Sequence, residues 1–194
     1  SFAGITLGVA TLIIVMSVMN GFRTELINRI LGLNGHIGVF SATSEPLKDY
    51  DRLALKLAEL PNVIAATPQV QGQVMASSSR GQAGAVVRGV AWSDLAARKP
   101  LWDSLSQQAI AAFRDDKHIL IGETMAFRLG LKLGDKLTLL SASGRTTAFG
   151  SIPTKRTFTI GGLFKVGMHE YDNSFIFMPL SHAQSFFHLP DAVS

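Results

Sequence analysis

No charged residue occurs between Phe2 and Met19, and the first charge in the chain is Arg23. The stretch GITLGVATLIIVMSVM is apolar on every side, interrupted only by the hydroxyls of Thr6, Thr11 and Ser17. Such hydroxyls can donate back to helix carbonyls, which makes them tolerable in hydrocarbon. At about 1.5 Å per residue the run makes a helix of ~27 Å, close to the ~30 Å hydrocarbon thickness of a bilayer. It reads as a membrane span, with a buried core helix and a secretory signal peptide as the alternatives. A signal peptide would be shorter and would end at a small-residue cleavage site. Here the run passes directly into NGFRTELINRILGL, where Phe22, Leu26, Ile30 and Leu33 recur at helical spacing. The helix is expected to leave the bilayer near Asn20 and continue as a stalk to about Leu31, with Gly32 and Gly35 as stop signals. A start at Ser1, without Met or a basic leader, suggests a piece of a longer protein that opens inside the span.

The span accounts for an unusual composition. Of 194 residues 47% are apolar and only 16% charged, against about 25% charged in ordinary soluble domains. That balance excludes a disordered chain or a solvated charged scaffold. Cysteine is absent, so disulfides, thiolate metal sites and a cysteine nucleophile are excluded. A net charge of +4 suits an acidic partner or anionic headgroups but is far from a nucleic-acid footprint.

Beyond the stalk, the pattern predicts an α/β (α+β) unit of small mixed sheets with helices. HIGVF (36–40) is a strand candidate, Tyr50 to Leu60 an amphipathic helix ended by Pro61, and Val63 to Ala76 a strand interrupted at Pro68. Across the SSSRGQAG turn, Ala85 to Val90 returns as its hairpin partner. Trp92 to Phe113 reads as helix and loop, His118 to Ile121 as a strand, and Glu123 to Leu129 as a short helix stopped at Gly130. Lys136–Ser141, Thr157–Val166 and Phe175–Met178 read as strands, with Pro179 opening the helix SHAQSFFHL. The expected organisation is a span and stalk (1–34), an outer subdomain (35–90 and 167–194), and an inserted subdomain (91–166) carrying a hairpin.

The sequence has no P-loop, no G-x-G-x-x-G, no G-x-S-x-G, no S-x-x-K and no H-E-x-x-H. His169, Glu170 and Asp172 in MHEYDNSF, with His182 further on, are the one carboxylate–imidazole grouping to test for a divalent metal. They lack the i, i+4 histidine pair, so a polar connecting loop is the preferred reading, and neither a metal nor another cofactor is expected. His118 is expected to be a satisfied strand-edge residue.

The segment SASGRTTAFGSIPTKRTFTI is the most informative soluble feature. Its polar excursion from about Ser143 to Pro153 exceeds the usual two to five residues of a hairpin loop. Pro153 lacks an N–H and belongs at an edge or tip. Phe149 and Ile152 near the tip could enter a partner's groove. Arg145, Lys155 and Arg156 flank the hairpin, and such cations could meet acidic groups and speed encounter. A mobile hairpin without a partner remains the alternative.

The junction MNGFRTEL…RILGLNGHI, together with PNVIAATPQV, VVRGV, ILIGETMAFRLGLKLGDKL and DNSFIFMPLSHAQ, resembles the lipoprotein-releasing ABC transporter permeases, the LolC/LolE family, over essentially the whole chain. The resemblance implies a non-catalytic permease subunit of the bacterial inner membrane, its soluble part in the periplasm. Such a subunit extracts outer-membrane lipoproteins and hands them to a periplasmic chaperone (LolA-like), while a separate cytoplasmic ATPase (LolD-like) hydrolyses ATP. A sibling permease or a second copy would complete the membrane unit. GSIPTKRTFTI matches the distal arm of the hook of LolC-like members, so Pro153, Lys155 and Arg156 are carried over as hook arm and adjacent pad; the LolC pattern tends to place Gln-Arg where this chain has Lys155-Arg156. MHEYDNSF looks closer to LolE, which suggests a hook-bearing LolC-like or hybrid member. Phe2, Leu7, Ile14, Val18 and Phe22 would contact membrane lipid and the substrate's acyl chains. A mechanotransmitting permease of the macrolide-exporter type, and a periplasmic metal-dependent hydrolase using His169, Glu170 and His182, are the alternative functions.

Overall fold

The computed structural model describes residues 2–194 except Ser44, Lys117, Ala148 and Phe149, and describes side chains outside residues 28–32 and 143–152. Two compact units emerge, residues 1–38 and residues 39–194.

The first unit is α1 (Phe2–Asn34), a single unbroken helix, so the expected span and stalk are one element. Thr6 and Thr11 donate to the carbonyls of Phe2 and Leu7 at 3.1 and 2.8 Å, which satisfies both hydroxyls within the helix. Residues Phe2–Ile27 are long and apolar enough to cross a membrane, and none of the most apolar stretch is buried against protein, unlike a core helix. Gly35 follows at φ +71°, a left-handed position that stops a helix at little steric cost to glycine. The strand expected at residues 36–40 does not form. A strand needs a ladder partner, and none of the paired strands lies against it.

The second unit opens with β1 (Leu47–Lys48) and α2 (Tyr50–Ala58), which ends before Pro61. The strand expected over residues 63–76 forms only past Pro68, as β2 (Gln69–Ser77), with residues 63–68 outside it, and the chain returns as β3 (Gln82–Val90). Then come α3 (Trp92–Ala97), α4 (Lys99–Trp102) and α5 (Gln107–Arg114), the last capped by Ser106, whose hydroxyl accepts from Ala109 N. β4 (His118–Gly122) leads into α6 (Glu123–Leu129), stopped by Gly130 at φ +63°. β5 (Lys136–Thr147) and β6 (Gly150–Phe164) are the two long strands. MHEYDNSF, expected as a connecting loop, contains α7 (His169–Ser174). It is followed by β7 (Phe175–Pro179), α8 (Leu180–Phe187) and β8 (Ala192–Val193), which pairs with β1.

Six strands close a barrel in the order β2-β3-β7-β4-β6-β5. β3–β7 and β4–β6 run parallel and the other pairs antiparallel, so the α+β class with a mixed sheet is as expected. Strands β2, β3 and β7, expected in the outer subdomain, lie side by side, as do β4, β6 and β5, expected in the insertion; the two sets close one barrel, and residues 39–194 share one compact unit. Parallel pairing brings β7 beside β3, across a long sequence separation.

Val70, Val74, Ala83, Val87, Ile119, Ile121, Leu137, Leu139, Phe158 and Ile176 fill the core together with Phe186 and Phe187 from α8. Small residues make room for that helix. A Cβ on Gly72 would lie 2.4 Å from the Phe187 ring. Against β6, a Cβ on Gly162 would lie 2.3 Å from that of Ala109, so the Gly161–Gly162 pair admits α5. The β4–β6 ladder shifts register between Ile119 and Leu120 at the same place, a bulge that re-aims the strand.

Candidate functional site

β5 and β6 outrun the barrel. β2 pairs with β5 only over Thr138–Leu140, and β4 pairs with β6 only from Thr159 onward. Past those limits the two strands pair with each other as far as Thr147 and Gly150. The segment expected as an irregular excursion from Ser143 to Pro153 is therefore a paired two-stranded projection. Its ladder breaks register between Ser141 and Arg145, so residues 142–144 lie opposite Pro153, which has no N–H to offer. Arg145 pairs with Ile152 beyond the break. Phe149 lies outside the described residues.

The period of two in a strand separates neighbours that sequence placed together. Leu137↔Phe158, Leu139↔Arg156 and Ser141↔Thr154 share the face that turns to the core and α8. Arg156 accordingly donates from Nη1 to Ser185 Oγ at 3.2 Å, and Thr154 Oγ1 is hydrogen-bonded to His188 Nε2 at 2.9 Å. Lys155, paired with Leu140, faces the other way. It lines a cleft of about 330 Å³ with Met75, Leu140, Lys136 and Thr138. Lys155, Arg156 and Pro153 are all exposed. The grouping expected as one basic pad thus has two faces: one cation on an outer cleft, one reaching α8.

Met75 and Leu140, 44% and 39% exposed, were not singled out from sequence. The signal was there, since Met75 alternates in phase with Gln71 and Gln73 on the outer face of β2. Ser185 and His188 carried no such signal, because their role depends on where α8 packs.

A second polar cluster lies on the outer face of β2 and β3. Arg88 is buried, donates from Nε and Nη2 to Gln71 Oε1 at 3.3 and 2.9 Å, and lies 5.0 Å from the centre of the Phe175 ring. Burial pulls its pKa down while Tyr171 opposes the shift. Arg98 is lowered to about 10, by burial first and then by the charge of Arg88. Burial raises the Asp94 carboxyl, against the pull of Arg98.

The candidate metal grouping is dispersed into other roles. His169 and Glu170 are exposed. The buried Asp172 accepts from Val166 N and Gly167 N at 2.8 and 3.1 Å and so ties down the turn before α7. The ring of His182 packs 6.3 Å from that of Phe158. No cluster of three or more such side chains able to hold a metal occurs among the described residues. His118, expected to be satisfied at a strand edge, has a buried Nδ1 without a hydrogen-bond partner.

The chain thus combines an apolar helix with a mixed barrel that carries a projecting hairpin. The chain belongs to the family of MacB-like periplasmic core domains, which it matches over residues 1–194. It is 32% identical to the lipoprotein-releasing system transmembrane protein LolC of Xylella fastidiosa over 173 residues, 89% of this chain and 41% of that protein. Against LolC of Neisseria meningitidis the identity is 30% over 200 residues, 100% of this chain and 47% of that protein. LolE of Haemophilus influenzae is 27% identical over 198 residues. The chain spans less than half the length of these curated relatives. Among solved structures, the periplasmic region of MacB from Actinobacillus actinomycetemcomitans matches in fold, with a TM-score of 0.50 and 13% identity, over 78% of this chain and 64% of that one. The chain is the membrane-anchored periplasmic region of an ABC-transporter permease of the bacterial inner membrane.

Proposed function

We propose that this region serves a permease that lifts lipoproteins out of the inner membrane and passes them to a periplasmic chaperone, with the hairpin of residues 143–156 as the docking element. The similarity to LolC and LolE supports the substrate class. The observation that carries the docking role is the pair of strand arms that leave the barrel and pair only with each other. A closed barrel hides its own edges, so this hairpin is the element that reaches outward. Lys155 and the exposed Met75 and Leu140 at its base offer a cation beside apolar surface, a combination that steers and then holds an acidic partner.

The region does no covalent chemistry of its own. Extraction exposes acyl chains to water at ~0.8 kcal/mol per CH₂, which is why a separate cytoplasmic ATPase and a receiving chaperone are both required. A sibling permease or a second copy completes the membrane unit. Phe2, Leu7, Ile14, Val18 and Phe22, all exposed along α1, contact lipid and the substrate's acyl chains. The test is chaperone binding by the intact permease. Deletion of residues 143–153 is expected to abolish binding and Lys155→Glu to weaken it, while circular dichroism stays unchanged; full affinity in both variants overturns the docking role.

A further inference from the structure

We infer that α8 acts as a latch on the hairpin, with Ser185 and His188 as positioning residues that set the angle at which the projection leaves the barrel. The inference rests on the docking reading above only for its functional consequence. Its geometric basis is independent of it.

The hairpin has a weak point. Between Ser141 and Arg145 the β5–β6 ladder loses register opposite Pro153, so the backbone bonds that would stiffen the projection are interrupted there. A two-stranded ribbon without a third strand or a packed face is marginal in water. Immediately on the barrel side of the break, two side chains of β6 reach across to α8. Thr154 Oγ1 meets His188 Nε2 at 2.9 Å, and Arg156 Nη1 meets Ser185 Oγ at 3.2 Å. Both come from the same face of β6, being two residues apart. Ser185 and His188 are three apart, so they lie on one side of the helix end. The two bonds form a clamp at the root of the projection.

The clamp is fixed to something rigid. Phe186 and Phe187, between the two latch residues, are sunk in the core, Phe187 against Gly72. His188 closes α8 in the left-handed region at φ 58° and donates its backbone N–H to Gln184 O. Its imidazole is therefore presented by a backbone geometry that few side chains adopt without strain. A helix seated in the barrel and a hairpin hinged at its rim are coupled by these contacts, so any displacement of α8 is passed to the hairpin.

The test is hydrogen–deuterium exchange on the intact permease carrying Ser185→Ala together with His188→Asn. Asparagine tolerates the left-handed backbone and is too short to reach Thr154. Exchange of the amides of residues 145–147 and 150–152 is expected to rise about fivefold while β2, β3 and β7 keep their protection. Ser181→Ala removes the bond from α8 to Asp116 and serves as control, with hairpin exchange unchanged. Equal hairpin rates in the double variant and the parent overturn the latch, as does a uniform rise across the barrel. Chaperone affinity is read on the same samples. A drop accompanying faster hairpin exchange extends the latch to docking, whereas faster exchange at unchanged affinity leaves the latch standing and overturns only its extension to docking; the docking reading itself fails on the hairpin deletion.

Discussion

Gly89 and Ala183 meet so closely that a Cβ on the glycine would fall 2.1 Å from the Cβ of the alanine. That approach lets α8 press against β3 and carries Phe186 and Phe187 into the core. Gly89→Ala forces helix and strand apart, a case of overpacking expected to cost about 1–3 kcal/mol. Urea denaturation of the purified protein measures it. A variant as stable as the parent would show that α8 is loosely seated.

The Asp172 carboxylate holds the backbone N–H groups of Val166 and Gly167. Removing it in Asp172→Ala leaves both donors without their acceptor in a partly buried turn, at an expected cost of about 1–3 kcal/mol. Asp172→Asn keeps one carbonyl oxygen and is expected to lose less. The ranking of the two melting temperatures checks the assignment.

Burial raises the Asp94 carboxyl above its ordinary value of 3.8, although Arg98 opposes the shift. The folded state then binds this proton more tightly than the unfolded chain does. Stability from this group is present below 3.8 and is lost as pH rises through the folded-state value. Asp94→Asn cannot ionise, so its stability relative to the parent should climb across that window and level off above it. Denaturation at a series of pH values from about 3 to 7 reads the difference; a flat difference would contradict the assignment.

Lys155 faces the outer cleft whereas Arg156 is engaged with Ser185. Lys155→Glu should therefore slow chaperone association about tenfold at low salt, with the gap narrowing as salt screens the charge. Stopped-flow association rates at two ionic strengths check this.

Ile14 is exposed in the middle of the apolar stretch of α1. Ile14→Arg places a charge near the bilayer centre, at an insertion cost of about 2.5–3.5 kcal/mol. Carbonate extraction of membranes should find less of this variant integrated than of the parent.

The local elements were legible because their signals are local. α6 begins and ends where Glu123 and Gly130 said it would, and β2 starts directly after Pro68. The hydroxyls of Thr6 and Thr11 fold back onto α1 as their setting in an apolar run implied. HIGVF carried a strand pattern and formed none, since alternation describes a surface that could be paired and says nothing of whether a neighbour is present.

The candidate site was half readable. Pro153 signalled an edge or tip, whereas it lies inside β6, where the ladder breaks register. The division of labour between Lys155 and Arg156 was not readable as a pad, because it depends on strand pleat and on α8 arriving from some thirty residues away.

Sequence by itself determined the apolar helix, several of the strands and helices between Tyr50 and Phe187, and the position of the hairpin, since each follows from periodicity, chain stiffness or the absence of charge over a short stretch. Only the tertiary structure decided that strands from both halves of the soluble region close one barrel, that Asp172 ties a turn, and that Ser185 and His188 grip the hairpin's root. Those outcomes depend on which distant surfaces meet, and the free energy of such meetings comes from burial and close packing between segments that carry no trace of one another in their own residues.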